Sequence, residues 1–268
     1  MKRSWYATPY ALWMLMFTVV PLLFVVYYAF TTKTGDFTTA NMTKIFAYTP
    51  VLMDSLRLAL YCTALCLLIG YPAAWFMASE FSTKKALTVL ILLPMWMNFL
   101  LRTYAMMTLF ENNGVLNSIF QALGLPKQTM IGTEGAVLVG MVYNFLPFMV
   151  LPIYTVLNKI DPRVIEAAQD LGANPMRVIT RVVVPLSVPG VVSGITMVFM
   201  PAVTTFAISR LMSSGTIYLM GDMIEEYFIS MNNRNVGSAM SLVMMILILI
   251  SIGLLRKADP EGQGGGLW

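Results

Sequence analysis

The sequence predicts an all-α fold, a polytopic transmembrane bundle of six helices. Hydrophobic residues make up 58% of the 268-residue chain and charged residues only 11%, whereas about a quarter of a typical soluble domain is charged. The few charges also leave long apolar runs between them, and a helix needs about 20 apolar residues to cross a bilayer. Both observations indicate that lipid, rather than water, surrounds most of the chain.

Five uncharged runs are long enough to span a membrane unaided, and a sixth continues across one charge, Arg102. The predicted spans lie near residues 9–30, 56–78, 86–108, 134–157, 188–208 and 237–255. We therefore divide the chain into an N-terminal helix with its outer loop, a transmembrane domain and a flexible glycine-rich tail, at residues 1–54, 55–256 and 257–268.

Basic residues predict the orientation, because cytoplasmic loops carry an excess of Lys and Arg. With six spans, both termini share one side. Placing the termini in the cytoplasm gives ten cytoplasmic basic residues: Lys2, Arg3, Lys84, Lys85, Lys159, Arg163, Arg177, Arg181, Arg256 and Lys257. The outer side then carries five: Lys33, Lys44, Lys127, Arg210 and Arg234. We expect a multi-pass protein of the bacterial inner membrane with both termini in the cytoplasm.

The composition argues against catalysis within this chain. Histidine is absent, which removes the commonest general base and metal ligand. Cys62 and Cys66 lie within an apolar run, where free cysteines behave as small hydrophobic residues. We interpret them as packing residues rather than as a metal or redox pair. Topology explains the scattered basic residues behind the net charge of +4, so we expect no catalytic residue, no metal ligand, no cofactor and no nucleic-acid partner.

The longest cytoplasmic segment in this topology lies between the fourth and fifth spans. Asp161 is a favourable N-cap with Pro162 at the first helical position, and Gly172 provides a helix stop about three turns later. Asn174 and Pro175 repeat the cap and the proline, which starts a second helix toward the fifth span. The pattern predicts a helix–turn–helix element on the membrane surface.

We call this segment, residues 158–187, the elbow. Its sequence Glu166-Ala167-Ala168 is followed after three residues by Gly172, and after nine more by a hydrophobic-x-hydrophobic-Pro pattern ending at Pro185. The order and spacing resemble the EAA loop of binding-protein-dependent ABC importer permeases. The residue types also suit docking, because small alanines keep one helix face low and Glu166 offers a charge to a basic partner. A plain helical linker would explain Ala-Ala and Gly alone, but the full spacing favours docking.

The resemblance implies the fold of a type I ABC importer permease. It also implies coupling to an ATPase through Glu166, Ala167, Ala168, Asp170, Gly172 and Pro185. The chain has no P-loop of the form Gly-x-x-x-x-Gly-Lys-Ser/Thr, so ATP and Mg²⁺ would be bound by partner subunits. The implied partners are an ABC ATPase dimer, a second permease that makes a heterodimer, and an extracytoplasmic solute-binding protein.

Three further runs resemble the spermidine/putrescine importers of this family, specifically their first-type permease subunit. They are residues 68–76, residues 93–98 with Arg102 and Tyr104, and residues 146–152. The resemblance implies that the transported substrate is a polyamine. Related permeases for other small solutes share parts of these runs, so iron, sulfate, phosphonate or another organic amine stays open as an alternative cargo.

A path for a polycation needs carboxylates at its entrance and aromatic faces with oxygen acceptors inside. The candidate path residues in the spans are Trp96, Asn98, Tyr104, Tyr143 and Asn144. The candidate carboxylates before the sixth span are Asp222, Glu225 and Glu226. Each set has a plainer interpretation. Aromatic residues near span ends anchor helices at the interface, and the carboxylates suit a solvated face or a contact with the binding protein.

Arg102 places a cation inside the third predicted span, where charge is costly and usually faces the bundle interior or a watery cavity. In a path for polycations it would repel the cargo. We therefore expect a structural or gating role near the outer leaflet, with Glu111 as the partner. Snorkelling of the side chain to the interface is the alternative.

Two other classes of function stay open. A membrane-embedded enzyme needs a catalytic set, but the chain has no histidine and the predicted spans contain no acidic pair. A channel that works without ATP has no use for the elbow motif and normally forms its pore from a ring of identical subunits. The sequence favours the permease over both.

Overall fold

The computed structural model describes residues 8–79, 91 and 93–257, and its regular structure there is helical apart from one isolated bridge between Thr31 and Phe37. Five helical segments are long and apolar enough to cross a membrane. In chain order the main helices are α1 (Thr8–Ala29), α2 (Ala40–Ile45), α3 (Thr49–Ser79), α4 (Phe99–Phe110), α5 (Val115–Ala122), α6 (Glu134–Leu157), α7 (Pro162–Asp170), α8 (Pro175–Thr204), α9 (Ala207–Ser213), α10 (Met220–Ile229) and α11 (Arg234–Lys257). The predicted all-α membrane bundle is confirmed.

The first, second, fourth and sixth predicted spans correspond to α1, α3, α6 and α11. The third, 86–108, falls partly on residues 80–90 and 92, which lie outside the described residues, as does the predicted tail beyond Lys257. Its described part is a helical turn at 93–96, a break at Met97 and Asn98, and then α4. Within the described residues this stretch is therefore two short helices rather than one continuous span.

The fifth predicted span, 188–208, differs from the structure at both ends. The helix α8 begins earlier, at Pro175, and stops at Thr204 because Thr205 is extended, with ψ of 143°. Gly221, at the start of α10, lies directly against this stop. A Cβ atom on Gly221 would be 2.5 Å from the carbonyl oxygen of Thr205 and 2.6 Å from that of Thr204. Only a glycine lets α10 pack so closely against the end of α8.

The core is formed by α3, α6 and α8, which pack on one another. Met149 and Ile153 of α6 are fully buried there. A Cβ atom on Gly194 of α8 would lie 2.7 Å from the sulfur of Met149, so the two helices approach closely through a small residue, as membrane helices commonly do. Cys62 and Cys66 are also buried in this core, in agreement with their interpretation as packing residues.

Two helices accommodate prolines through a wider turn. The segments Leu15–Val19 of α1 and Ile179–Val183 of α8 are single π-helical turns. Each precedes a proline, Pro21 and Pro185 respectively. A proline cannot donate a backbone hydrogen bond and its ring clashes with the carbonyl four residues earlier. The π-turns spread the backbone at that carbonyl, so each helix continues instead of ending.

Two asparagine side chains, one on α11 and one on α2, form hydrogen bonds with the backbone at the C-terminal end of α1, at the end of the bundle opposite the elbow. Asn235 donates from Nδ2 to the carbonyl oxygens of Tyr28, at 3.1 Å, and Thr31, at 2.6 Å. Asn41 donates to the carbonyl oxygens of Ala29, at 3.2 Å, and Thr31, at 2.9 Å. The last carbonyl groups of a helix lack the N–H donors that a further turn would supply, so these amides help to satisfy the backbone at the end of α1.

Candidate coupling elbow and translocation path

The first helix of the elbow, α7, is defined by local capping. Asp161 accepts a hydrogen bond from the backbone N–H of Arg163 through Oδ1, at 3.0 Å. At the other end Gly172 adopts a left-handed φ of +81°. The N–H groups of Gly172 and Ala173 donate to the carbonyls of Gln169 and Ala168, at 2.8 and 3.1 Å. This pair of bonds is the Schellman motif that ends many helices at glycine. The predicted start and stop of this helix are confirmed.

The second helix of the elbow is continuous with the following span. Asn174 caps it, accepting from the N–H of Arg177 at 2.8 Å, and the helix then runs through Pro185 to Thr204. Its 30 residues extend over about 45 Å at 1.5 Å per residue. The prediction of a separate helix ending where the span begins is therefore wrong in this respect. A force applied at the elbow acts directly on α8.

The face of α7 that is open to a partner carries both charge and apolar surface. Glu166, Ala167 and Asp170 are exposed, and Leu171 is 89% exposed. Ile165 and Ala168 instead pack against the bundle core. The two alanines of the motif thus lie on different faces, because consecutive helical residues are about 100° apart. Ala168 seats α7 on the bundle, and Ala167 keeps its outer face low.

Within the described residues, Glu166 and Asp170 form no ion pair. Leu171 and the similarly exposed Met176 flank the turn between the two helices of the elbow. Exposed apolar surface with a polar rim is typical of sites that bind another protein or a membrane. The arrangement suits a partner with an apolar groove and basic residues at its rim. Gly172 and Pro185 are exposed as well. In the structure Gly172 forms the turn that ends α7, and Pro185 follows the π-turn in α8.

Arg102 holds together three parts of the bundle. Its side chain is only 5% exposed. Nε donates to Oδ1 of Asn144 at 2.8 Å, and Nη1 donates to the carbonyl oxygen of Pro94, also at 2.8 Å. The guanidinium carbon lies 5.7 Å from the ring centre of Tyr143, within reach of a cation–π interaction. The Pro94 carbonyl also accepts from the backbone N–H of Met97 at 3.3 Å, so the arginine adds a second donor where the helix breaks.

The expected partner of Arg102 is corrected. Glu111 forms no ion pair with it in the described part of the chain, since the partners are an amide, a carbonyl and an aromatic ring. Asn144 lies ten residues after the start of α6, which is about 15 Å along a helix of about 36 Å. Arg102 therefore lies at a level slightly closer to the Glu134 end of α6 than to its other end, and a position toward the outer leaflet stays a prediction. Its burial and its hydrogen bonds to the protein also exclude snorkelling.

The other candidate path residues fall into two groups. Trp96 is 78% exposed, and Tyr104 and Tyr143 are also exposed on the outside of this single chain. Asn144 is fully buried, donating from Nδ2 to the carbonyl of Gly140 at 2.8 Å while it accepts from Arg102. Asn98 caps α4, accepting from the N–H of Leu100 at 2.9 Å. The aromatic side chains are therefore exposed on the surface of the single chain, whereas both asparagines form hydrogen bonds within the protein.

The three carboxylates before the last span have different surroundings on α10. Asp222 is 2% exposed and accepts through Oδ2 from the hydroxyl of Ser209, at 2.6 Å, and the N–H of Leu219, at 2.8 Å. Glu225 pairs with Arg210, whose Nη1 lies 2.9 and 2.6 Å from the two carboxylate oxygens. The side chain of Glu226 forms no hydrogen bond and no ion pair in the described residues. It lines a cavity together with Asp222.

Burial changes the acidity of Asp222. Loss of water around the carboxylate raises its pKa from 3.8 to about 6, although the bonds from Ser209 and Leu219 and the charge of Arg210 oppose the change. The pairing of Arg210 with Glu225 could not be found in the sequence, because a loop separates the two residues and no helical or strand spacing connects them. No three His, Cys, Asp or Glu residues lie close enough for a metal site among residues 8–79, 91 and 93–257.

The described residues thus form a helical membrane bundle with an exposed elbow between two of its spans, an arrangement that fits a subunit of a membrane transporter. The chain belongs to the family of binding-protein-dependent transport system inner membrane components, whose model matches residues 67–261. It is therefore a multi-pass permease of the inner membrane, a transporter rather than an enzyme.

Similar proteins cover nearly the whole chain. The spermidine/putrescine transport system permease protein PotB of Haemophilus influenzae is 36% identical over 92% of this chain and 90% of its own length. The protein of the same name in Escherichia coli is 34% identical over 92% of this chain and 94% of its own length.

Solved structures agree on the fold. A chain of a bacterial alginate ABC transporter superimposes with a TM-score of 0.80 at 18% identity, covering 98% of this chain and 97% of that one. A chain of the MetNI methionine ABC transporter gives a TM-score of 0.57 at 16% identity, covering 81% and 94%. The ABC importer permease fold implied by the elbow motif is thereby confirmed.

Proposed function

We propose that this chain is one of two permease subunits of an ATP-driven importer of polyamines, spermidine or putrescine. The observation that supports this cargo best is the similarity to spermidine/putrescine permeases, which extends over at least nine-tenths of both chains at 34 to 36% identity. Similarity over such a length includes the spans that line a path as well as the elbow.

The elbow is proposed to be the contact with the ATPase. Its exposed Glu166 and Asp170, beside the exposed Leu171, would enter a cleft of a separate ATPase subunit that binds ATP and Mg²⁺. Because the second helix of the elbow is continuous with α8, closure of the ATPase dimer would tilt that span. Two permeases moving in this way would alternate between inward-open and outward-open states.

The remaining partners follow from the exposed surfaces. None of the most apolar 18-residue window of α1 is buried within the chain, which suits contact with lipid or with the second permease. We propose a heterodimer of permeases, with a solute-binding protein at the end opposite the elbow. In this orientation the elbow and both termini are cytoplasmic, and α10 with its carboxylates lies on the outer side.

The proposal is tested by reconstituting vesicles with both permeases, the ATPase and the binding protein, and then measuring uptake of labelled spermidine and putrescine. We expect accumulation that requires ATP and the binding protein. Absence of uptake by a complex whose ATPase activity still responds to the loaded binding protein would contradict the polyamine cargo and leave the permease role intact. Uptake that persists with an inactive ATPase would favour a channel.

A further inference from the structure

A cavity of about 140 Å³ opens beside the carboxylates of α10, at the end of the bundle opposite the elbow. We call it the acidic cavity, and its lining residues are Arg210, Gly215, Ile217, Tyr218, Asp222, Glu226 and Ser230. An engineered cavity of about 150 Å³ holds a benzene molecule. The acidic cavity therefore has room for a group of about six heavy atoms.

Asp222 belongs to the lining of the cavity, and one of its carboxylate oxygens has no hydrogen-bond partner in the described structure. Asp222 is 2% exposed, and both of its hydrogen bonds, from Ser209 and Leu219, end on Oδ2. The other oxygen, Oδ1, is buried and accepts no hydrogen bond. A buried carboxylate oxygen without a donor is unfavourable unless a ligand or an ion supplies one.

The charges around the cavity do not cancel. Arg210 is the only basic residue in its lining, and its guanidinium is already paired with Glu225 at 2.6 Å. Asp222 and Glu226 are left as two carboxylates without a basic partner among the described residues. The cavity thus has an excess of two negative charges, and the aromatic ring of Tyr218 forms part of its wall.

We propose that the acidic cavity binds a primary ammonium group of the transported amine on its way into the translocation path, between Asp222 and Glu226. An ammonium carries three donors, which suit Oδ1 of Asp222, the carboxylate of Glu226 and the carbonyl or hydroxyl groups of the rim. The ring of Tyr218 can stabilise the cation further. The assignment rests on the proposed function, because it takes the cargo to be an amine.

A divalent metal fits the cavity less well than an ammonium does. Ca²⁺ takes six to eight oxygen ligands and Mg²⁺ demands an octahedral set, whereas the cavity offers two carboxylates and no grouping of three acidic residues in the described chain. An ammonium on an alkyl chain needs only a few acceptors and also tolerates the apolar wall that Ile217 provides.

The test compares the wild-type complex with Asp222→Asn and Glu226→Gln variants in the complete reconstituted transporter. Titrating putrescine into the nanodisc-held complex without binding protein, by calorimetry, should show one weak saturable site that both variants weaken about tenfold or more. Uptake of putrescine should fall by a similar factor at saturating loaded binding protein. Asp36→Asn, an exposed carboxylate between α1 and α2, is the matched control and should match the wild type.

Glu226→Gln keeps the test valid if Asp222→Asn fails to fold, because the Glu226 side chain makes no hydrogen bond or ion pair in the described structure. Wild-type putrescine binding in a folded Glu226→Gln complex would overturn the proposal. If Mg²⁺ alone bound as tightly as putrescine, and if both variants weakened that binding as well, the choice of an ammonium would be overturned. If the wild-type complex imports no polyamine, the proposed function fails, but calorimetry still decides whether the cavity binds an amine.

Discussion

Arg102 donates from Nε to Oδ1 of Asn144 at 2.8 Å, and both side chains are buried. The bond joins α4 to the middle of α6. Through its second bond, to the carbonyl of Pro94, the same guanidinium also holds the turn that precedes the helix break. A cation in this position is stabilised by dipoles and an aromatic ring instead of a carboxylate. It therefore fixes the turn before α4 against α6 without an acidic partner among the described residues.

Asn144→Leu should destabilise the bundle, because it leaves the buried guanidinium of Arg102 short of an acceptor. A hydrogen bond to a charged group contributes about 1.5 to 3 kcal/mol, and an orphaned buried charge costs more. We expect a clearly lower melting temperature of the detergent-purified complex. Arg57→Gln is the control: its ion pair with Glu134 joins side chains that are 43% and 54% exposed, so its loss should change stability by under about 1 kcal/mol. Equal melting temperatures for Asn144→Leu and wild type would contradict the proposed role.

The contrast between the elbow and Arg102 shows what the sequence can predict. Asp161, Gly172 and Asn174 act on backbone groups at most five residues away, so the pattern of the chain alone located the turn and both helix starts. The partners of Arg102 lie on other elements, and Asn144 is 42 positions away. Which of several polar residues would face the arginine depended on how α4 packs on α6, and a single sequence does not contain that information.

The course of α8 was missed for a different reason. The apolar pattern predicted a fifth span over residues 188–208, with the second helix of the elbow running only toward its start. A π-turn at Ile179–Val183 relieves the clash of Pro185 instead, and the helix continues from Pro175. Membrane helices tolerate proline because adjustments of this kind satisfy the freed backbone groups. The apolar pattern therefore located the membrane span correctly but placed the start of its helix too late in the chain.

Gly194→Ala should destabilise the contact between α8 and α6. The added methyl group would lie 2.7 Å from the sulfur and 3.1 Å from the carbonyl oxygen of Met149, and overpacking of this kind costs about 1 to 3 kcal/mol. A thermal melt of the complex should show the loss. Gly253→Ala in α11 is the matched control, since no atom lies within 4 Å of its added methyl. The control should be neutral or slightly more stable, because alanine favours helices over glycine. Equal losses in both variants would show that close packing is not the cause.

Glu166→Lys should uncouple transport from ATP hydrolysis without unfolding the permease. The residue is exposed and unpaired within the described chain, so the substitution removes no internal contact, but it reverses the charge offered to the ATPase. We expect uptake to fall roughly tenfold or more, the factor that about 1.4 kcal/mol of lost interaction produces, and less ATPase to co-purify with the permease. Glu111→Lys, also exposed but beyond the end of α4, should have wild-type uptake. Normal uptake by Glu166→Lys would remove this residue from the coupling contact.

Amine binding by the acidic cavity should weaken as the pH falls through about 6. Burial raises the pKa of Asp222 to about 6, so the carboxylate that receives the ammonium is increasingly protonated below that pH. The charged groups close to it are Arg210 on α9 and Glu225 and Glu226 on α10. Calorimetric titrations of putrescine between pH 5 and 8 should show this loss in the wild type. Asp222→Asn should bind weakly at every pH.

The raised pKa of Asp222 also makes the stability of the fold depend on pH. In contrast to amine binding, stability should be greater at low pH than at neutral pH. The folded state holds the proton of Asp222 more tightly than the unfolded chain, whose carboxyl titrates near 3.8. The contribution of this group to the free energy of unfolding is therefore greatest below about pH 4, decreases as the pH rises toward 6 and is constant above it. Asp222→Asn should remove that decrease, so its melting temperature relative to the wild type should rise between pH 4 and 6. If the difference in melting temperature between the variant and the wild type stays constant from pH 4 to 6, the pKa of Asp222 is not raised by burial of its charged form.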